Sequence, residues 1–280
     1  MNIRQLSSIL EQPFAVMGIV NVTPDSFFDG GKYIRLDRAY EHAVGLIEQG
    51  ADIVDIGGES TRPGATPVTC EEELQRTIPL IEKLATTHPA TVLSIDTTKS
   101  AVARRALESG AHWVNDISAG RFDAEMPALV AQAHCPVIVM HSRKQPATMQ
   151  SNPRYEDVVA EVKQELIASI GMFRKAGVET ARIIVDPGIG FAKRLEDNIT
   201  LLNRLNEFAG LGYPLLVGVS RKSFVGRITG KEPAGRLAGS LGAVASAWLK
   251  GAKLFRVHDV AASCDMLAVM AWIENGHVSL

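Results

Sequence analysis

The sequence predicts an α/β protein folded as a single (β/α)8 barrel over residues 1–280, and three observations support this prediction. Short apolar runs occur eight times, and each is continuous rather than alternating, as in parallel strands buried on both faces. Segments with helical periodicity separate these runs. The length suits one barrel domain, and no linker, low-complexity tract or long charge run divides the chain. A doubly wound open sheet is the alternative with the same alternation.

The candidate strands are rich in Val and Ile and follow one another at intervals that leave room for a helix. They cover 16–21, 52–57, 91–96, 112–117, 136–141, 182–187, 214–220 and 254–259. The predicted helices cover 36–49, 71–86, 99–109, 124–133, 155–176, 196–208, 236–249 and 261–274. Helix 155–176 is the clearest, because its apolar side chains recur every three or four residues. Gly50, Gly110, Gly177 and Gly251 each follow a helical segment and precede a strand, as helix C-terminal glycines do.

Composition excludes several classes of function. The formal net charge of -2 provides no global field for binding nucleic acid or an anionic membrane, so any anion site must be local. No apolar run approaches the length of about 18 residues that a membrane span requires, and the first residues lack the apolar core of a signal peptide. The three cysteines form no CxxC pair, which favours reduced thiols in a cytoplasmic protein.

Polar side chains collect where the strands end, which in a (β/α)8 barrel is the rim that carries the active site. Any one of them has an ordinary alternative as a helix cap, and we interpret Asp116 and Asp259 as structural partners. His141 suits a packed histidine as well as a site residue. All eight strand ends nevertheless carry such groups: Asn21, residues 59–62, Asp96, Asn115 with Asp116, His141, Asp186, residues 220–223, and Arg256 with His258 and Asp259.

The rim residues divide into two chemical sets. Asp96, Asn115 and Asp186 are compact groups that suit the polar edge of a heterocycle, because carboxylates accept from ring N–H donors and an amide both donates and accepts. A second set is cationic or can become so, and suits a phosphate or carboxylate; it comprises Arg62, Lys222, Arg256 and His258. The predicted ligand therefore has a donor-rich ring and an anionic tail.

Three loops are more elaborate than connectors need to be. They follow strands one, two and six, at residues 21–33, 58–65 and 187–193. Glycines beside Pro and Phe are typical of a lid over a ligand, and we expect Phe191 to be exposed in the third loop. The alternative for residues 21–33 is a flexible hairpin without a functional role. Walker A, HExxH and GxSxG motifs are absent from the sequence, and its histidines show no metal-ligand spacing.

Seven segments together resemble the dihydropteroate synthase family, in order and at suitable spacing from about residue 14 to 260. They are MGIVNVTPDSFFDGG, DIVDIGGESTRPGA, SIDTTK, VNDISAG, VDPGIGF, VGVSRKSFVG and FRVHDV. The resemblance implies a TIM barrel that condenses 6-hydroxymethyl-7,8-dihydropterin diphosphate with 4-aminobenzoate, with Mg²⁺ as cofactor. The implied products are 7,8-dihydropteroate and pyrophosphate, and the implied assembly is a homodimer, with helix 236–249 rich in small residues.

The same resemblance assigns roles to individual residues. It implies that the pterin ring contacts Asp96, Asn115, Asp186 and Lys222. It implies that the diphosphate meets Asn21 through the metal, and also Thr61, Arg62, Arg256 and His258. It places 4-aminobenzoate near Phe27, Pro63 and Phe191, with its carboxylate near Ser223. Glu59 is expected to brace its own loop.

The implied reaction breaks the C–O bond before the amine attacks, so basic groups stabilise the departing pyrophosphate. Lys222, Arg256 and His258 are the catalytic candidates, together with Asp25, which is placed to stabilise the pterin cation electrostatically. Two alternatives share the fold: a pterin-binding methyltransferase domain and a non-catalytic pterin-binding homologue. The Ser-Arg-Lys-Ser and Arg-Val-His segments argue against the first, and intact TPDSF and STRPG segments argue against the second.

Overall fold

A computed structural model describes residues 3–23, 32–61, 64–144, 147–149 and 153–275. Within them, eight parallel strands pair in the order β6-β5-β4-β3-β2-β1-β8-β7. A parallel bridge between Val185 and Leu215 joins the two ends of this order, and the Val185 amide donates to the Pro214 carbonyl at 2.9 Å. The sheet therefore closes into the predicted (β/α)8 barrel, and the open-sheet alternative is wrong.

All eight predicted strands form, seven of them within two residues of the predicted bounds, whereas the strand predicted over 214–220 is reduced to two residues. They are β1 Ala15–Asn21, β2 Ile53–Gly57, β3 Val92–Asp96, β4 Trp113–Asp116, β5 Val137–Met140, β6 Ile183–Asp186, β7 Leu216–Val217 and β8 Leu254–Val257. Their residues are buried on both faces except at Asn21 and Arg256, which are partly exposed. This is why the strands have no alternating polarity in the sequence.

The predicted helices also form, although three features were missed. The helices are α1 Ile3–Glu11, α2 Lys32–Glu48, α3 Cys70–Thr87, α4 Ser100–Glu108, α5 Met126–Ala133, α6 Val158–Lys175, α7 Leu195–Asn203, α8 Asn206–Ala209, α9 Ser223–Thr229, α10 Leu237–Leu249 and α11 Val260–Asn275. Helices α1 and α9 were not predicted, and the segment 196–208 divides into α7 and α8. None of the described helices is long and apolar enough to cross a bilayer.

Two apolar cores surround the strands. The larger lies between the barrel and its helices and includes Phe173 and Phe208. The smaller fills the amino-terminal end of the barrel, where Leu6 and Ile9 of α1 pack with Trp113 and with one apolar residue from most strands. Helix α1 therefore closes the amino-terminal end of the barrel, and the candidate site lies at the opposite end, where the strands finish.

Candidate functional site

The predicted pterin-ring residues come together at the carboxyl ends of neighbouring strands. Asp96 ends β3 and pairs in register with Asn115 on β4 and with Gly57 at the end of β2. Asp186 ends β6, and Asn21 ends β1. Lys222 and Ser223 lie at the start of α9, and Arg256 is the third residue of β8. The predicted residues Asp25, Phe27, Arg62 and Pro63 lie outside the described residues.

Arg256 joins two carboxylates from different strands. Its Nε donates to Asp55 Oδ2 at 2.6 Å, and its Nη2 donates to Asp96 Oδ2 at 2.7 Å. The Asn115 amide donates to the same Asp55 oxygen at 3.0 Å. Burial raises the pKa of Asp96 to about 7, against the opposing effect of Arg256 and with a further increase from the nearby Asp55 charge. The Arg256 guanidinium, which the sequence predicts to bind the anion, therefore also contacts Asp96, one of the residues predicted to bind the ring.

The loop after β6 encloses Asp186 and Lys222. Asp186 Oδ1 accepts from the Gly188 amide at 2.7 Å, and burial raises the pKa of this carboxyl. Lys222 donates from Nζ to the Ile189 carbonyl, and Nζ lies 4.3 Å from the centroid of the Phe191 ring. Burial lowers the pKa of Lys222 to about 8, against the attraction of Asp186. The pair presents an acceptor and a donor to the barrel mouth.

Phe191 does not stand exposed, so that prediction is wrong. Its residue surface is only 9% accessible, because its ring packs in a small apolar cluster. The other members of the cluster are Ile117, Met140, Met149 and Ala192. The ring also carries the Lys222 ammonium on one face, an arrangement that is favourable for a cation and an aromatic ring. Phe191 therefore forms part of the wall of the site.

A buried chain of polar groups, which was not predicted from the sequence, supports this loop from behind. Lys193 Nζ lies 2.9 Å from the Phe191 carbonyl and 2.9 Å from His141 Nδ1. Because the ammonium donates to Nδ1, the imidazole proton resides on Nε2, which lies 3.0 Å from Glu165 Oε2. Burial lowers the pKa of His141 to about 3 and the pKa of Lys193 to about 7. His141 is therefore a packed neutral histidine.

His258 follows β8 two residues after Arg256 and contacts Ser220. Its Nδ1 is 3.1 Å from Ser220 Oγ, and its amide donates to the same oxygen at 3.2 Å. Asp259 pairs with Arg221, whose Nε lies 2.9 Å away. Asp259 is therefore a structural partner, as interpreted from the sequence.

Asp116 is a structural residue as well. Oδ1 accepts from the Ser118 amide at 2.8 Å and from its hydroxyl at 2.7 Å, and Oδ2 accepts from the Gly120 amide at 2.6 Å. These bonds order the turn after β4, and the carboxylate has no exposed surface. Its neighbour Asn115 faces the opposite side of the strand, toward Asp55, as alternation requires.

The second elaborated loop adjoins a cavity of about 240 Å³ beside Asp96. Thr61 lines it, together with Glu59, Glu73 and Lys99. Lys99 pairs with both carboxylates, at 2.6 Å from Glu73, so Glu59 does brace the loop against α3 and α4. Thr61 therefore faces the same space as Asp96, while Glu59 is occupied with Lys99.

The oxygen ligands at the rim are compatible with Mg²⁺. Asn21 offers an amide oxygen at the end of β1, and Mg²⁺ prefers hard oxygen ligands while keeping several waters and bonds to substrate phosphates. A Cβ atom on Gly57 would lie 3.8 Å from Asn21 Oδ1 and 3.6 Å from Asp96 Oδ2, so glycine leaves open the space between them. Among the described residues, no group of three or more His, Cys, Asp or Glu side chains could hold a metal by itself. One or two protein oxygens, together with diphosphate oxygens and waters, are enough to complete the coordination of Mg²⁺.

Asp55 is the site residue that sequence reasoning missed. It lies in the middle of β2, and its side chain has no accessible surface. The available signal was a carboxylate inside the otherwise apolar strand IVDIG, where an unpaired charge would be costly. Its partner Arg256 is 201 residues away, so spacing could not identify the pair.

Comparisons with known proteins agree with this geometry. The family described as pterin binding enzyme matches residues 17–258. The chain is 48% identical over 255 residues to a dihydropteroate synthase of Synechocystis sp., covering 91% of this chain and 88% of that protein.

Two solved structures have the same fold over nearly the whole chain. The Xanthomonas albilineans dihydropteroate synthase with 4-aminobenzoic acid superposes with a TM-score of 0.89 at 46% identity, covering 96% of this chain and 95% of the other. A second structure from that organism, in complex with 7,8-dihydropteroate, gives a TM-score of 0.85 at 44% identity, covering 96% of each chain. The similarity therefore extends to proteins captured with an aromatic amine and with a pteroate.

Proposed function

The chain belongs to the pterin binding enzyme family, and from that premise we propose that it is a dihydropteroate synthase. It condenses 6-hydroxymethyl-7,8-dihydropterin diphosphate with 4-aminobenzoate to give 7,8-dihydropteroate and pyrophosphate, a step of folate biosynthesis. The observation that carries the proposal is the convergence of Asp96, Asn115, Asp186 and Lys222 on one barrel mouth, in a chain 48% identical to a dihydropteroate synthase.

We assign the pterin ring to these four residues because their donors and acceptors suit its edge. Asp96 and Asp186 accept from ring N–H and amino groups, and both carboxylates are almost inaccessible to water, which strengthens such bonds. Lys222 donates, and its position beside Asp186 keeps it charged near neutral pH despite burial. Asn115 is fixed through its amide nitrogen, which leaves its oxygen to accept.

The diphosphate is proposed to lie at the rim beside Asn21, Thr61 and His258, with Arg62 of the second loop completing the site. Arg256 reaches this region from below, where its guanidinium is held by Asp55 and Asp96. Asn21 would hold Mg²⁺ together with the diphosphate oxygens, and the ion would supply positive charge to the leaving group.

The aromatic amine is proposed to occupy the outer part of the site. Phe191 forms the apolar wall and Ser223, exposed at the start of α9, is near enough in sequence to Lys222 to meet the carboxylate. Phe27 and Pro63 belong to the same proposed pocket by resemblance to the family.

The chain's own residues promote departure of pyrophosphate rather than abstraction of a proton. Cationic groups at the rim stabilise negative charge as the C–O bond breaks, and the electron-rich dihydropterin delocalises the cation that remains. Asp25 is proposed to stabilise that cation electrostatically. The amine of 4-aminobenzoate is already nucleophilic, so the site requires no strong general base.

Release of pyrophosphate tests this function directly. The purified protein is incubated with the pterin diphosphate, 4-aminobenzoate and Mg²⁺, and both pyrophosphate and dihydropteroate are quantified. We expect equimolar formation of the two products. Binding of the pterin without pyrophosphate release would instead indicate a non-catalytic homologue, and release that does not depend on 4-aminobenzoate would indicate a different acceptor.

We also propose a homodimer that works in the cytoplasm. Leu249 at the end of α10 and Val269, Trp272 and Ile273 near the end of α11 are exposed apolar side chains on two helices that pack together. Such a patch favours association with a second copy. Three unpaired cysteines, Cys70, Cys135 and Cys264, fit a reducing compartment.

A further inference from the structure

Asp55 occupies a position that no substrate can reach directly. It lies two residues before the end of β2, and its side chain has no accessible surface. Its Oδ2 accepts from both Arg256 and Asn115, at 2.6 Å and 3.0 Å. Its Oδ1 is buried without a hydrogen-bond partner among the described residues. A buried acceptor left unpaired destabilises the fold, so packing alone does not account for this carboxylate.

Arg256 is shared by two carboxylates that differ in access to the site. Asp55 has no accessible surface, whereas Asp96 is 6% accessible and lines the cavity at the barrel mouth. Ring N–H donors can therefore reach Asp96 and not Asp55. The two contacts also use different nitrogens of the guanidinium, Nε for Asp55 and Nη2 for Asp96. One contact can therefore be exchanged while the other remains.

We infer that Asp55 is a positioning residue that keeps Arg256 in place while Asp96 exchanges its partner from Arg256 to the pterin ring. The inference rests on the proposed function, since it concerns the pterin ring and the diphosphate of the proposed substrate. When the ring occupies Asp96, Nη2 of Arg256 loses that acceptor and becomes available to the diphosphate. Asp55 retains Nε, so the guanidinium turns about a fixed point. Asp55 also holds Asn115 with its oxygen toward the ring.

This arrangement couples the binding of the pterin ring to the binding of the anion. If the ring releases Nη2, pterin binding must increase the affinity for pyrophosphate, and pyrophosphate must increase the affinity for pterin by the same factor. Couplings of this kind are typically about 5–150-fold. A carboxylate that served only to support the fold would affect stability without changing this factor.

The experiment measures that factor by calorimetry. Pyrophosphate is titrated into the full-length protein at constant Mg²⁺, with and without a saturating 6-hydroxymethylpterin that lacks the diphosphate. In the unaltered protein we expect pyrophosphate to bind at least about fivefold more tightly when the pterin is present. In Asp55→Asn we expect the factor to fall below twofold, because an amide is uncharged and holds the guanidinium less firmly. An unchanged factor in Asp55→Asn would overturn the inference.

Asp116→Asn provides the matched control. Asp116 is equally buried at the end of β4, which β3 separates from β2, and the bonds to its carboxylate come from Ser118 and Gly120 in its own turn. This variant should unfold at a lower temperature and keep the full coupling factor. Loss of coupling in both variants would show that the effect is general destabilisation and would overturn the inference.

Arg256→Lys keeps the test decisive if Asp55→Asn does not fold. A lysine ammonium retains the charge but cannot hold Asp55 with one nitrogen and the anion with another, so we expect the coupling to be lost. Full coupling in Arg256→Lys would refute the exchange. Turnover of the unaltered protein distinguishes failure of this inference from failure of the proposed function. Product formation without any coupling refutes only the inference, whereas absence of product refutes the proposed function.

Discussion

Burial shifts the pKa values of ionisable side chains at the barrel mouth because it removes them from water, and nearby charges modify these shifts. Burial raises the pKa of Asp96 to about 7 and lowers the pKa of Lys222 to about 8. Both shifts bring the pKa values nearer to neutral pH, where small changes in the surroundings alter the charge of these groups. Protonation of single residues should therefore affect both stability and ligand affinity.

The pKa of Asp96 predicts how stability depends on pH. The pKa of this carboxyl is about 4 in the unfolded chain, whereas burial raises it to about 7 in the folded protein. Between these values the native state binds more protons than the unfolded state, so the contribution of Asp96 to stability falls as pH rises, by at most about 1.4 kcal/mol per pH unit.

Urea unfolding at pH 5 and pH 7.5, without ligands, compares the protein with Asp96→Asn. We expect the free energy of unfolding to fall more steeply with pH in the unaltered protein. Parallel behaviour of the two proteins would show that Asp96 is already ionised at pH 5.

Replacing Asp186 with Asn should weaken pterin binding while leaving the fold intact. The carboxylate is expected to receive two ring donors, whereas an amide offers one acceptor oxygen and a clashing NH₂ group. The loss should be roughly 2–5 kcal/mol, as for removing one partner of a buried charged hydrogen bond. Calorimetry with the pterin gives the affinity, and circular dichroism checks the fold. Unchanged affinity would mean that Asp186 does not contact the ring.

At the scale of elements, the loop from β6 to α7 depends on glycines. Gly188 has φ of 68°, and a Cβ atom there would overlap the carbonyl oxygen of His141. Gly188→Ala should displace the loop that positions Lys222 and Phe191, and we expect the KM for the pterin diphosphate to rise at least about fivefold, equivalent to about 1 kcal/mol.

Gly212→Ala is the matched control for this loop. Gly212 has φ of 79°, in the same left-handed region, but a Cβ atom there would meet nothing within 4 Å. Its substitution should cost about 1 kcal/mol of stability through backbone strain and leave KM unchanged. If the two variants gave the same KM, backbone strain alone would explain the effect at Gly188.

Helix α1 should contribute to stability without contributing to turnover. Ile9 is buried in the core at the amino-terminal end of the barrel, on the side opposite the site. Ile9→Ala should lower the free energy of unfolding by about 2–4 kcal/mol, since it leaves a cavity. The exposed Glu11→Ala serves as the control. Chemical unfolding and initial rates below the melting temperature measure the two quantities, and a large fall in kcat would contradict this separation.

At the scale of the whole molecule, the exposed apolar ends of α10 and α11 predict the assembly. We expect a dimer mass by light scattering at micromolar protein. Ile273→Glu should shift it toward the monomer, because an interface does not accommodate an unpaired charge. Ile167→Glu on α6 alters another exposed apolar residue and should remain dimeric. A monomer mass for the unaltered protein would refute the proposed dimer.

The sequence by itself determined the alternation of strands and helices, the barrel and the family. Continuous Val and Ile runs identify strands buried on both faces, because the polarity of successive residues in a strand reflects which of them are buried. Motifs such as SIDTTK and VDPGIGF placed Asp96 and Asp186 at strand ends, since the carboxyl ends of parallel strands share one rim.

Only the tertiary structure decided which side chains meet. Asp55 bonds to Arg256, which lies 201 positions further along the chain, and Lys193 bonds to His141, which lies 52 positions before it. The burial of Phe191 and the contacts of Arg256 with two carboxylates likewise depend on how the barrel closes. Local periodicity carries no information about these distances, because the closure and stagger of the barrel set them.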